Sequence, residues 1–208
     1  EQTVYNFILD GNHTYFADGL LVHNRRSADG GGGGNTGGGG LGQCDPLAQS
    51  FFITETNGIF VTKVDLYFSE KDPTTLPMWI QIRQMDNGYP APEILPGSTV
   101  FKFPNEITTS IDASVATTFE FDEPIYLSPG KEYCVVALST VPNYKVYLAK
   151  VGEFVLGTTD AKIVKQPFLG SLFKSQNNTT WTATQWEDLK IHIYAAKFET
   201  NAGFVELT

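Results

Sequence analysis

The chain has few cysteines, few basic residues and no long apolar run, and each shortage excludes a class of protein. Its two cysteines, Cys44 and Cys134, lie far apart and outside any C-x-x-C pair. Neither a disulfide framework nor a zinc site is therefore predicted. The 14 Lys and Arg residues stand against 23 Asp and Glu residues, which gives a net charge of −9. Nucleic acid is not an expected partner, because affinity for it depends on neutralising backbone phosphates.

The apolar residues are dispersed along the chain. No stretch of about 18 consecutive apolar residues occurs, so no membrane insertion is expected. Nothing near Glu1 resembles a secretion signal, which would combine a basic region with an apolar one. The content of 41% hydrophobic and 13% aromatic residues is typical of a globular protein.

Side chains that carry chemistry are scarce after residue 43. The single histidine there, His192, alternates with Ile191 and Ile193, which predicts a surface or hydrogen-bonded residue on the face opposite the two isoleucines. Neither G-x-S-x-G nor H-E-x-x-H occurs. We therefore expect no enzyme activity, no catalytic residue, no metal site and no cofactor.

Abrupt changes in composition divide the chain into four segments. Residues 1–24 carry a hairpin-like pattern, and in residues 25–42 ten of the last thirteen residues are glycine. That second segment is predicted to be a linker, since it has no side chains from which to build a core. A β domain is predicted over residues 43–198, followed by a C-terminal extension over residues 199–208.

The predicted domain shows the period of two that is typical of strands. Even positions from Phe60 to Phe68 are mostly apolar, and Met78, Ile80 and Ile82 repeat this pattern against Gln81 and Arg83 on the other face. Turn dipeptides separate such runs: Asn57-Gly58, Asn87-Gly88, Pro96-Gly97 and Pro129-Gly130. The prediction is an all-β, antiparallel β-sandwich with a jelly-roll-like architecture, preceded by a small β-hairpin arm. Only residues 48–53 and 184–189 could instead form a helical turn.

One motif offers a second sandwich architecture. The segment from Leu127 to Tyr133 has the spacing of a tyrosine corner, in which a tyrosine hydroxyl bonds to upstream backbone at the edge of an immunoglobulin-like sandwich. Such domains have about 100 residues, and the β region here is longer, so the jelly roll is favoured.

The segment VYNFILDGNHTYFADGLLVHN ends in His23-Asn24. An asparagine side chain can attack its own backbone carbonyl, and a neighbouring histidine can supply the proton. The segment resembles the C-terminal end of the Hint (intein and hedgehog) family, and the resemblance implies autoprocessing roles for His13, His23 and Asn24. Arg25 replaces the Cys, Ser or Thr that splicing requires, and the amino-terminal nucleophile of the family has no counterpart here. A vestigial hairpin is favoured over self-cleavage after Asn24.

Five segments of the β region carry a second resemblance: CDPLAQSFFI, GIFVTKVDLYFSEKD, PMWIQIRQMDNGYP, DASVATTFEFDEPIYLSPGKEYCVVALS and KQPFLGSLFKSQNNTTWTATQWEDLKIHIYAAKF. Together they resemble a structural domain of contractile-tailed bacteriophages, particularly those of cyanobacteria. This resemblance implies a non-enzymatic virion protein of the tail or baseplate, which would be made in the host cytoplasm and would contact other tail proteins. A homo-oligomer is also expected. A flexible linker of 18 residues has a reach of roughly 20–25 Å, which would let it carry the amino-terminal hairpin to a neighbouring subunit.

A lectin-like module that recognises host surface glycans is the alternative. Exposed aromatic rings stack on sugar faces, and amides supply donors and acceptors. The candidate residues occupy one short stretch of the sequence: Asn177, Asn178, Trp181, Gln185 and Trp186. The other interpretation, which is favoured, is that the two tryptophans anchor a long loop to the sandwich.

Overall fold

The structure, a computed structural model, describes residues 3–5, 45–156, 158–165 and 170–198. Almost all of the linker, the predicted Hint-like segment and the C-terminal extension lie outside these residues, so the proposed domain boundaries stay predictions. Only a backbone strand at Thr3–Tyr5 is described from the amino-terminal segment.

The described residues form β-strands joined by turns, with one short 3₁₀ helix at Pro104–Glu106. The strands are β1 (Thr3–Tyr5), β2 (Leu47–Phe52), β3 (Ile59–Glu70), β4 (Met78–Asp86), β5 (Tyr89–Ile94), β6 (Val100–Lys102), β7 (Ala116–Leu127), β8 (Glu132–Ser139), β9 (Lys145–Val146), β10 (Leu148–Lys150), β11 (Leu172–Ser175), β12 (Trp181–Thr184), β13 (Glu187–Leu189) and β14 (Ile191–Ala195). Residues 48–53 and 184–189 are thus largely strand, and the helical alternative for them is wrong.

Two antiparallel sheets carry the fold. Sheet I has the order β1-β14-β3-β7, with β9 also paired to β3. Sheet II has the order β12-β11-β2-β8-β4-β5, with β6 also paired to β4. A separate pair joins β10 to β13. The chain crosses between the sheets repeatedly, from β2 to β3, from β3 to β4, from β6 to β7 and from β7 to β8.

The main core lies between sheets I and II. Alternate residues of strands in both sheets point into it, among them Val64, Leu66, Phe68, Phe119, Ile191 and Ile193 from sheet I and Ile80, Ile82, Tyr133 and Val135 from sheet II. The prediction of an all-β antiparallel sandwich is confirmed.

A bulge changes which residues of β3 face this core. Tyr194 and Ala195 of β14 pair with Lys63 and Val61, so β3 carries one extra residue, Thr62, at this point. Val61 is consequently buried, whereas Phe60 is 37% exposed. The simple alternation that placed Phe60 on the core face is wrong at this end of the strand.

The turns follow the stereochemistry expected from the sequence. Asn87 and Gly88 both have positive φ, at 49° and 79°, as a tight hairpin between β4 and β5 requires. The predicted tyrosine corner is also present, since the backbone N–H of Ser128 donates to the hydroxyl of buried Tyr133 at 3.0 Å. This bond secures the crossing from β7 in sheet I to β8 in sheet II.

Sheet II curls so that β5 approaches β12. The face of sheet II that points away from the main core therefore encloses a second, smaller core. That cluster contains Ala48, Cys134, Val136, Leu138, Phe173 and Trp181. Cys134 is a buried core residue, and burial raises the pKa of its thiol to about 12. The curl also buries Gln81 and Arg83, although the sequence pattern placed them on the face away from the main core, where a half-buried strand meets solvent.

Candidate functional site

The structure divides the predicted glycan-binding residues between the two ends of β12. Trp181 begins this strand and is 7% exposed, because it belongs to the core inside sheet II. Trp186 lies in the turn after the strand and is 56% exposed. The two rings therefore do not form one stacking surface. Trp181 anchors its loop, as the favoured interpretation expected.

The neighbouring amides stabilise turns. The side-chain oxygen of Asn177 accepts the backbone N–H groups of Thr179 and Thr180, at 3.0 and 2.7 Å. Asn178 adopts a φ of +60°, and its side-chain oxygen is buried without a hydrogen-bond partner in the described residues. Gln185 is exposed and lies beside Trp186. Only Gln185 and Trp186 thus offer an open aromatic and amide pair.

The largest group of interacting polar side chains covers the outer face of sheet I, where β3 pairs with β14. Register places His192 opposite Asp65. The ring Nδ1 of His192 shares a hydrogen bond of 2.9 Å with the Tyr67 hydroxyl. Asp65 accepts hydrogen bonds from Thr118 at 2.6 Å and from Tyr194 at 2.7 Å. His192 is therefore hydrogen-bonded, which is one of the two environments that the sequence predicted for it.

Burial sets the protonation states of this polar network at neutral pH. Burial, and secondly the charge of Asp65, raise the pKa of Tyr67 to about 12. Burial also raises the pKa of Tyr194 and lowers the pKa of His192. The tyrosines thus stay protonated and the histidine stays neutral at neutral pH. The network ties β3 to its neighbours β7 and β14 on the outer face of sheet I.

Lys190 closes one end of the network. Its ammonium group lies 4.4 Å from the centre of the Tyr67 ring and donates to the carbonyl of Ala113 at 2.8 Å. Burial lowers its pKa. Sequence analysis identified His192 alone in this region. Its partners on β3 are more than a hundred residues away in the chain, so only the strand register reveals them.

Further along the same face, three aromatic rings form an exposed cluster that we call the aromatic patch: Phe60, Tyr126 and Phe198. The ring of Phe60 lies 4.9 Å from that of Tyr126 and 5.2 Å from that of Phe198. The three side chains are nevertheless 37%, 47% and 61% exposed, respectively. The bulge that turns Phe60 outward creates this surface.

The autoprocessing candidates His13, His23 and Asn24 lie outside the described residues. Within the described ranges, no three His, Cys, Asp or Glu residues converge as a metal-binding group. The described part of the chain also contains no helix long and apolar enough to cross a membrane. No protein-family model and no curated protein matches this chain.

Proposed function

We propose that this protein is a non-catalytic structural subunit of a contractile phage tail or baseplate. In this role it contacts other tail proteins and further copies of itself. The sequence resemblance over the β region motivates the proposal, and a rigid two-sheet sandwich suits a component that is repeated in a particle. The segment ending at His23-Asn24 is, in this proposal, a vestigial hairpin arm that is not cleaved.

The aromatic patch is the observation that carries the proposal. Aromatic residues are enriched in the buried centres of protein interfaces, and contiguous exposed apolar surface is typical of contact sites. The rings of Phe60 and Phe198 pack edge to face, with their planes at 82°. Because the patch is ordered before any partner arrives, little conformational entropy is lost when it is covered.

The polar network beside the patch is better suited to a protein contact surface than to a reaction site. Its central carboxylate, Asp65, is 5% exposed and accepts two hydrogen bonds. Lys63 lies over the ring of Tyr194, with 4.6 Å between its nitrogen and the ring centre. These contacts hold the strand surface rigid, which a subunit interface requires.

Incorporation into virions tests the proposal. We expect the wild-type chain to be present in purified tails at a fixed copy number. Tyr126→Ser should reduce incorporation strongly, because it removes one of the three rings of the patch, and exposed Tyr126 is not part of the core between the sheets. Trp186→Ser, which changes an equally exposed aromatic residue elsewhere, should be incorporated normally. Absence of the wild-type chain from purified tails would refute the proposal, and equal incorporation of both variants would refute the role of the patch.

A further inference from the structure

An apolar cavity of about 90 Å³ opens at one end of the sandwich. It lies where strands of both sheets reach the same end: β3 at Phe68 in sheet I, and β2 and β4 at Leu47 and Met78 in sheet II. The pairing of β3 with β9 is irregular here, between Phe68 and Glu70. The two sheets thus leave part of the main core uncovered at this end.

The lining residues lead from the interior of the protein to its surface. Phe68, Met78 and Leu148 are at most 2% exposed and form the inner part of the cavity. Asp45 and Pro142 are exposed and form its rim. A ligand can therefore reach buried apolar surface directly from solvent.

Size and lining restrict what the cavity can hold. Ten of its thirteen lining residues are apolar or aromatic, and the hydroxyl of one of them, Tyr144, donates to the Leu76 carbonyl at 2.6 Å. A dry apolar cavity of about 150 Å³ holds one benzene ring. In proportion, the smaller volume here suits about four carbon atoms. A branched alkyl group, such as an isobutyl group, has both the size and the polarity that the cavity requires.

The charges at the rim favour a cation. Lys145 is neutralised by Glu70, with 2.5 Å between Nζ and Oε2, whereas Asp45 belongs to no ion pair among the described residues. Asp45 precedes the lining residue Leu47 by two positions, so their Cα atoms are at most about 7 Å apart. The net charge of −9 also repels anions. A ligand whose alkyl group contacts Leu47 therefore places its head group near an unpaired carboxylate.

We infer that this end cavity binds a primary ammonium group that carries a branched alkyl chain of about four carbons. The alkyl chain fills the cavity against Phe68 and Met78. The ammonium group pairs with Asp45 at the rim, where water satisfies its remaining hydrogens. A free aliphatic amine and the amino-terminal leucine of a peptide share this chemistry. The site lies between the ends of the two sheets and does not depend on the aromatic patch of sheet I.

Methyl NMR titrations of the full chain, at neutral pH and constant ionic strength, test the inference. The probes share an isobutyl group and differ in their head groups: isoamylamine, isoamyl alcohol and isovalerate. We expect the methyl signal of Met78 to shift saturably with the amine, with a dissociation constant on the order of 1 mM. The alcohol should bind about fivefold and the carboxylate at least about tenfold more weakly. Equal affinity for all three probes, or no saturable shift with the amine, would overturn the inference.

Two substitutions separate the cavity from its rim charge. Asp45→Asn should weaken binding of the amine about fivefold and leave binding of the alcohol unchanged. Asp86→Asn, at an exposed site on β4, should bind both probes as the wild type does. Val141→Phe, at a half-buried lining position, should fill the cavity, keep the NMR spectrum of a folded protein and lose binding of every probe. Amine binding that is unchanged in Asp45→Asn or in folded Val141→Phe would contradict the site.

The tripeptide leucyl-glycyl-glycine distinguishes the two sources of the ligand. Tighter binding of this peptide than of isoamylamine assigns the site to a peptide terminus, and weaker binding assigns it to a free amine. The acetylated peptide has no ammonium group and should bind no better than the alcohol. An acetylated peptide that binds more tightly than isoamylamine would refute the pairing of an ammonium group with Asp45.

Discussion

Asp188 is a buried carboxylate whose ionisation should destabilise the folded protein at neutral pH. It lies on β13, is 2% exposed and accepts a hydrogen bond of 3.2 Å from the Gln49 amide. Burial raises its pKa from 3.8 to about 6, and the bond from Gln49 offsets only part of that effect. A neutral side chain of the same shape, as in Asp188→Asn, should therefore stabilise the fold.

The sign and size follow from proton linkage. Because the pKa of Asp188 is higher in the folded than in the unfolded state, the folded protein binds the proton more tightly. Stability from this group is fully present below about pH 4 and is lost as the pH rises through about 6. A shift of roughly two pKa units corresponds to about 3 kcal/mol of unfolding free energy. Asp188→Asn should recover about 1–3 kcal/mol near pH 7.5 and almost nothing near pH 4.

Urea unfolding of the two proteins across this pH range measures the difference. Asn retains an acceptor for the Gln49 amide, whose own oxygen accepts the backbone N–H of Leu189 at 2.8 Å, so this hydrogen-bonding arrangement persists. Asp86→Asn, at an exposed position on β4, controls for the loss of one negative charge. The reasoning is refuted if Asp188→Asn is less stable than the wild type near pH 7.5, or if their difference does not change with pH.

Five further substitutions test the packing and the turns. Tyr133→Phe should lower the unfolding free energy by about 1–3 kcal/mol in urea titrations, since the backbone N–H of Ser128 loses its hydrogen-bond acceptor. An unchanged unfolding free energy would show that the tyrosine corner does not stabilise the fold. Gly58→Ala should cost about 2 kcal/mol or more, because a Cβ there would lie 2.3 Å from a backbone oxygen at a φ of +70°. Gly88→Ala, with open space around it, should cost less, and equal costs would contradict the steric argument. Trp181→Ala should lower stability by about 3–5 kcal/mol and Trp186→Ala by less than about 0.5 kcal/mol; the reverse order in thermal unfolding would contradict their assignment to core and surface.

The sequence predicted features that depend on neighbouring residues. Alternation identified most strands, and Asn87-Gly88 marked a hairpin because both residues tolerate positive φ. The tyrosine corner was also evident, since its hydrogen bond spans five residues. Such local signals sufficed for the class of fold.

Features that depend on distant strands could not be predicted. The outward position of Phe60 results from a bulge of β3 in its pairing with β14, and a pattern of alternation does not show the partner strand. Arg83 alternates like a surface residue, and only the curl of sheet II buries it. The aromatic patch and the burial of Arg83 both arise in this way, so neither could be assigned from the sequence.

The oligomeric state of the purified chain tests the central proposal most directly. Sedimentation velocity at micromolar concentration should show a homo-oligomer for the wild type, because in our proposal another copy covers the aromatic patch of Phe60, Tyr126 and Phe198. Tyr126→Ser should shift the protein to the monomer, while Trp186→Ser should sediment as the wild type does. A wild-type chain that remains monomeric at every concentration, and sediments identically to Tyr126→Ser, would contradict the proposal that this surface joins subunits.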